Sequence, residues 1–407
     1  MRIVAIKERT VRLGTAARNA NISFEGMTAS ALAVHTDVRK NGKPLIGLAF
    51  DSIGRYGHGG LLRERFIPRL EAADPRTYAD DRGGIDPHKA WNVLMTNEKL
   101  GGHGERCGAV GLLDAALWDL AAKQQDEPLW RLLASRCNDH DTKAFSGEVN
   151  FRFAAENAST QQTPTVEVYA SGGHYRPSND IEALCEDVRR AIAQGHRRFK
   201  IKIGGVELSA DLQRIEAVLG MLEPGMSLAV DGNGTFDRAT ALRYVEALAA
   251  YPLAWIEEPV HPLDFELHRE VAAHSNLPLA TGENLFSADD ARNLLRYGGL
   301  RSDRDVLQFD ISLSYGLVEY LRIIDLLAEH GWRPERCAPH AGHLFALHSV
   351  AGLGLGLAET AMDTTTSFGS LTAGVAISDG RAKLPDAPGA GFETAPAFQE
   401  LFGGLLN

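Results

Sequence analysis

The sequence predicts an α/β protein: a TIM-type (β/α) barrel with an α+β capping domain built from the N-terminal region and the C-terminal tail. Three observations lead there. Short apolar strands alternate with amphipathic helices from residue 166 to residue 361, the pattern of successive βα units. An antiparallel β pattern precedes them, and one ionisable residue stands at the end of nearly every barrel strand. The 407 residues also suit one large barrel with an appendage.

Residues 1–140 read as the cap. Arg2 to Arg12 alternates, and Ala29 to Asp37 and Pro44 to Phe50 flank an Asn41-Gly42 dipeptide, a strong hairpin signal. Gly108 to Gln124 and Pro128 to Ser135 carry apolar residues at i, i+3, i+4 spacing and predict helices. The polar stretch that follows has no sustained period, so 141–165 is expected to be a linker or surface insertion.

Barrel strands are expected at Val166 to Ala170, Arg198 to Ile203, Ser227 to Asp231, Ala254 to Glu257, Pro278 to Gly282, Val306 to Asp310 and Arg336 to His340. Seven units within 166–361 leave the barrel one unit short or irregular. Among the intervening helices are Asp180 to Gln194, closed by Gly195, and Ser287 to Leu295, where Ser287 and Asp290 have capping-box spacing. The tail, 362–407, is Gly- and Pro-rich and is expected to fold back on the cap.

Composition narrows the partners. A net charge of −11, with no Lys/Arg run longer than three, argues against nucleic acid. It leaves a small carboxylate substrate open, because that responds to a local site. Cys107, Cys137, Cys185 and Cys337 are scattered without a C-x-x-C pair, which fits a reduced protein rather than a zinc site or disulfide framework. Charge breaks the N-terminus before an apolar stretch accumulates, and no 18-residue apolar run follows. No membrane partner and a cytoplasmic location are therefore expected.

The strand ends carry the chemistry. Lys202, Asp231, Glu257, Glu283, Asp310 and His340 follow one another at separations of 29, 26, 26, 27 and 30 residues. In a barrel these positions converge on one mouth, where catalytic groups of this fold lie. In Phe199-Lys-Ile-Lys-Ile203, alternation turns Phe199, Ile201 and Ile203 toward the helices and Lys200 and Lys202 inward. The competing reading, an edge strand with a solvated lysine face, is disfavoured because closed barrels have no edges. Mutual repulsion and desolvation are expected to lower both lysines, leaving Lys202 able to act as a base.

Asp231, Glu257 and Glu283 would repel one another unless a cation joins them. An all-oxygen set selects a hard ion with open positions, hence Mg²⁺ rather than Zn²⁺. Alternation turns Glu258 away and ranks it second as a ligand. Asp310 and His340 suit an orienting acceptor and a proton-transfer imidazole. His343 competes for that role, and His340 is favoured because it ends the strand. A lysine on one side and a His-Asp dyad on the other suit α-proton abstraction from a carboxylate, with dehydration or epimerisation as the outcome. Binding without turnover and a lysine Schiff-base aldolase are the alternatives from other classes.

In their order, the Lys-x-Lys, Asp-x-Asn, Glu-Glu-Pro, Gly-Glu-Asn, Asp and His signals resemble the enolase superfamily, mandelate racemase branch, over nearly the whole chain. The resemblance implies an enolase-like modified barrel, Mg²⁺ on Asp231, Glu257 and Glu283, Lys200 as activating lysine, Lys202 as acid/base, and Asp310-His340 as the second acid/base. Within that branch the chain is most similar to the D-tartrate dehydratases, over Gly54-Arg-Tyr-Gly57, Asn97 to Arg106, Ala280 to Phe286, Asp289 to Gly299 and Leu307 to Asp310. This implies a lyase that forms a 2-keto acid from tartrate or a related diacid, and a homo-oligomer. It also implies a substrate-binding set of Lys99, Asn19, His174, Lys200 and Glu359, with Lys99 suited to a second carboxylate. Ile53 and His174 stand where that group is expected to place Asn and Tyr, and isoleucine offers no hydrogen bond.

Overall fold

The computed structural model describes residues 1–12, 17–51, 56–138, 163–341, 343–362 and 375–406. Ile53 and residues 141–162 of the expected linker lie outside the described residues.

Strands β1 (Ile3–Arg12), β2 (Thr28–Lys40) and β3 (Lys43–Phe50) form an antiparallel sheet in that order. Asn41 and Gly42 both have positive φ, 50° and 76°, the primed-turn geometry that the Asn-Gly signal calls for. The sheet lies on helix Arg106–Gln125, which is buried at every residue from Cys107 to Lys123. A helix that is apolar on nearly all sides belongs inside a core. Its two aspartates each accept from neighbouring backbone. Asp119 accepts from Leu48 N at 2.8 Å and Ala390 N at 2.7 Å, and Asp114 accepts from Leu317 N at 2.6 Å. Asp114 thereby caps helix Leu317–Glu329 from another element. Gly111 has no room for a side chain, because a Cβ there would strike the carbonyl of Ser312. The loop after Asp310 is thus pressed directly onto the cap.

The barrel strands run in chain order: β4 (Thr165–Gly172), β5 (Arg198–Lys202), β6 (Ser227–Asp231), β7 (Leu253–Glu257), β8 (Leu279–Thr281) and β9 (Val306–Leu307), all parallel. Phe199, Ile201, Leu228, Val230, Ile256 and Leu279 pack outward against helix residues such as Leu184, Ile215, Val245 and Val271. Tyr169, Ala229, Trp255, Ala280, Val306 and Ala338 fill the interior below the mouth. Period-two alternation produces both sets from the same strands.

Three details differ from the sequence-based expectation. Arg336 to His340 is not a strand: Pro334–Arg336 is a 3₁₀ turn and only Cys337 bridges to Leu307. Pro339 has no N–H to give a ladder there. A seventh parallel strand among the described residues, β10 (Ala358–Ala361), pairs with β4 and carries Glu359. The tail first returns to the barrel, as β11 (Ile377–Ser378) and β12 (Arg381–Lys383), with β12 antiparallel to β4. Residues 390–405 then reach the cap, where Phe392 and Phe398 meet Phe50 and Leu405 O meets His35 Nε2 at 2.9 Å.

Candidate active site

Register builds the site. Lys202 is the partner of Asp231 in the β5–β6 ladder, and Asp231 is the partner of Glu257 in β6–β7, so the three stand side by side at one height. Glu283 joins them from the turn after β8. The preceding Gly282 has φ 131°, and a Cβ there would lie 2.9 Å from Phe309 N, so only glycine fits the turn. Ligand oxygens of Asp231, Glu257 and Glu283 all lie within 4.8 Å of one another. Three carboxylates with no nitrogen or sulfur donor among them fit a hard divalent cation. The buried Asn233 Oδ1 beside them has no hydrogen-bond partner among the described residues.

Both lysines point inward and are buried. Lys200 Nζ donates to Glu257 Oε1, and lies 3.5 Å from Glu359 Oε1 and 3.8 Å from Asp231 Oδ2. Lys202 Nζ donates to Asp231 Oδ2 at 2.5 Å. The expectation of lowered lysines is corrected. Burial does pull them down, but Glu257 and Glu359 hold Lys200 well above its ordinary value, and Asp231 holds Lys202 above its own. The lysines face carboxylates at hydrogen-bond distance, so attraction exceeds their mutual repulsion. Asp231 is correspondingly held down, against its burial, by Lys202 and then Lys200. Glu257 is pushed up to about 7 by burial, with Lys200 opposing.

On the other side, His340 Nδ1 lies 2.8 Å from Asp310 Oδ2 and its Nε2 lies 3.5 Å from Glu283 Oε2. Asp310 is held in turn by Leu313 N, which donates to Oδ1 at 2.8 Å. Burial lowers the imidazole, but Glu283 and the Asp310 hydrogen bond outweigh it and raise His340 to about 10. His343, the competing histidine, packs among Phe50, Phe345 and Phe392, and burial lowers it to about 4. It is a core residue.

The remaining predicted residues are spread more widely. Glu359 is in the cluster: it receives Tyr169 OH at 3.3 Å and Ala341 N at 3.2 Å, and Lys200 leads His340 in holding it near about 2 against its burial. His174 follows β4 and stacks edge-on against Phe24 of the cap, at 5.5 Å. Asn19 is buried in the same cap loop, its Oδ1 accepting from Asn21 N and Ile22 N, both at 2.8 Å. Tyr175 N donates to Arg18 O at 3.0 Å, so the segments carrying Asn19 and His174 meet. Lys99 is exposed in the cap segment after helix Pro87–Leu94, and the structure gives its ammonium no partner among the described residues. That segment is fastened to the barrel by His103, 2.9 Å from Asp290 Oδ2 and 3.1 Å from Tyr315 OH.

Several site residues escaped the sequence reading. Gln308 and Trp255 donate to Glu257 Oε2 at 2.7 and 3.0 Å, and Asn233 donates to both oxygens of Asp231. Alternation could have found two of them, since Trp255 and Gln308 each stand two residues before a predicted site residue. Glu258 is a further correction. Its φ of 35° breaks the alternation, so the side chain turns back, takes both its hydrogen bonds from Asn284 Nδ2 at 3.0 and 2.8 Å, and is pushed well above the carboxylate range by burial and Glu283.

Comparison with known proteins follows the same line. A family model described as Enolase C-terminal domain-like matches residues 183–397. The chain is 28% identical over 309 residues to L-talarate/galactarate dehydratase of Salmonella typhimurium, covering 75% of this chain and 67% of the relative. It is 28% identical over 311 residues to 3,6-anhydro-alpha-L-galactonate cycloisomerase of Streptomyces coelicolor, covering 74% of each. Its fold is similar to the crystal structure of L-talarate dehydratase from Polaromonas sp. JS666 complexed with Mg and L-glucarate. There the TM-score is 0.72 and the identity 26%, over 95% of this chain and 92% of that one. No helix among the described residues is long and apolar enough to cross a membrane.

Proposed function

The chain belongs to the Enolase C-terminal domain-like family, on the mandelate racemase branch of the enolase superfamily, and from that premise we propose that it is a Mg²⁺-dependent dehydratase of a hydroxy acid or sugar acid. The substrate class is a small polyhydroxy diacid, with tartrate among the candidates. The observation that supports the reading is that Lys202 lies beside Asp231 and His340 beside Glu283, two different members of one carboxylate triad.

Asp231, Glu257 and Glu283 would hold the ion, which when bound polarises a substrate carboxylate and acidifies its α-hydrogen. Lys200, buried between Glu257 and Glu359, supplies a fixed positive charge to the same carboxylate. With Asp231 committed to a cation, Lys202 loses the partner that holds it up, so its ammonium would release a proton to solvent and the neutral Nζ would then take the α-proton. His340, oriented through Nδ1 by Asp310, gives its Nε2 proton to the β-hydroxyl, which leaves as water. The enol left behind rearranges to a 2-keto acid. Asn19 and Lys99 of the cap, with His174 of the segment after β4, would complete the binding set.

Epimerisation is the second reading, because the same two groups can return a proton to either face. A screen of hydroxy diacids and aldonic acids with Mg²⁺ in deuterated water separates the two. Keto-acid formation supports dehydration, and α-deuteration without keto acid supports epimerisation. Lys202→Ala with full turnover would remove the proton-transfer assignment.

A further inference from the structure

A cavity of about 280 Å³ lies where the Arg18 segment of the cap meets the segment after β4. It is bounded by Arg18 of the cap, by the segment after β4, by the turn after β5, and by the first turns of helices Asp180–Ala193 and Leu208–Leu219. Three guanidiniums, Arg18, Arg176 and Arg214, line it against a single carboxylate, Asp180. That imbalance is unusual in a chain with a net charge of −11.

Arg214 is only 2% exposed. Its Nη2 donates to Gly173 O at 2.6 Å, its Nη1 meets Asp180 Oδ2, and its Cζ lies 4.3 Å from the Tyr175 ring. The Nε has no hydrogen-bond partner among the described residues. Asp211 Oδ1, 3.9 Å away, is already taken by Tyr175 OH at 2.7 Å. A buried cationic donor left in this state is costly and calls for an acceptor. Arg176 pairs with Asp187 at 2.6 Å yet keeps a side-chain exposure of 41%. Arg18 closes the cavity from the cap side, and no carboxylate among the described residues pairs with it. Two helices of 14 and 12 residues add the positive ends of their dipoles at Ile181 and Ala210.

The geometry points to an anion site separate from the metal triad: a compact dianion, a phosphate or a short dicarboxylate, bound by Arg18, Arg176 and Arg214. The volume sits at the small end of ligand pockets, which run from roughly 300 to 1,000 Å³. An occupant would draw Arg18 onto the barrel. Because Arg18 O accepts from Tyr175 N, and Asn19 and His174 are the next residues along, this would stiffen the cap side of the active site and lower KM. That last consequence rests on the function proposed above; the binding does not.

The test is calorimetric titration of the full-length Mg²⁺-loaded protein with inorganic phosphate and, separately, malonate. The variants are Arg214→Gln, the more exposed Arg18→Gln and Arg176→Gln, and Asp231→Asn as the control at the metal site. The expected result is single-site binding that survives Asp231→Asn and weakens at least about tenfold in each arginine variant, the loss for one charge-assisted contact. Tighter binding of phosphate or of malonate identifies which source of dianion the cavity takes. Folded Arg18→Gln and Arg176→Gln proteins that bind both probes like the parent would overturn the proposal. So would binding that disappears only in Asp231→Asn, or no binding of either probe to the parent.

Discussion

His340 and Asp310 are joined at 2.8 Å through Nδ1 and Oδ2, and this contact directs the other ring nitrogen at Glu283. Neither residue belongs to a regular strand, so the dyad depends on its loops. Asp310→Asn should therefore leave the fold intact and lower kcat by about 10²- to 10⁴-fold, the usual scale for losing general acid–base help. Circular dichroism paired with steady-state kinetics would check this. A variant with parental kcat would remove Asp310 from the proton-transfer assignment.

Metal affinity should depend on pH near neutrality. Glu257 is pushed up to about 7, so below that value it is increasingly protonated, while a ligand must be a carboxylate. Mg²⁺ affinity is expected to fall as pH drops through 7, approaching about tenfold per pH unit, with proton release on binding. Titration in buffers of different ionisation enthalpy reads both. Affinity flat from about pH 8 to about pH 6 would contradict the raised Glu257 carboxyl.

A second pH effect belongs to the cap. His58 is buried, with Nδ1 3.0 Å from Asp51 Oδ2 and Nε2 3.2 Å from Glu105 Oε2. Burial lowers it, but the Asp51 and Glu105 hydrogen bonds prevail and raise it to about 9. A raised histidine stabilises fully below its unfolded value of about 6.5 and loses that contribution as pH rises through 9. The shift alone corresponds to about 3 kcal/mol. Burial pushes the Asp51 carboxyl up, which offsets part of it. His58→Gln should lower Tm at pH 6 more than at pH 10; an equal loss at both would rule out the charged pair.

Gly111→Ala should destabilise the protein by about 1–3 kcal/mol, the usual cost of overpacking. The added methyl would meet the Ser312 carbonyl, two residues beyond Asp310. Urea unfolding measures the stability, and a parallel fall in kcat would show that the strain reaches the dyad. Unchanged stability would mean that the cap helix and this loop are not rigidly apposed.

Much of this molecule is legible in one dimension. Period-two alternation and the near-constant spacing of Lys202, Asp231, Glu257 and Glu283 determine a parallel barrel with its charges at one end. The Asn41-Gly42 turn determines the cap hairpin. The residue types at the strand ends determine that three carboxylates suited to a hard cation, a lysine pair and a histidine share one mouth. Spacing carries this information because a parallel βα unit repeats the same height on every turn of the barrel.

Only the tertiary structure decided which groups touch. The β5–β6–β7 register sets Lys202 against Asp231 and Asp231 against Glu257, which reversed the expected direction of the lysine shifts. The positive φ of Glu258 turned a residue expected to face away back toward Asn284. Pro339 helped to cut short the strand expected before His340, and β10 supplied a parallel strand that had not been expected. The cavity between Arg18, Arg176 and Arg214 draws on segments more than 150 residues apart. Hydrogen-bond register, the sign of one φ and contacts across such separations are three-dimensional quantities, and at a distance of about 3 Å they decide which charge wins.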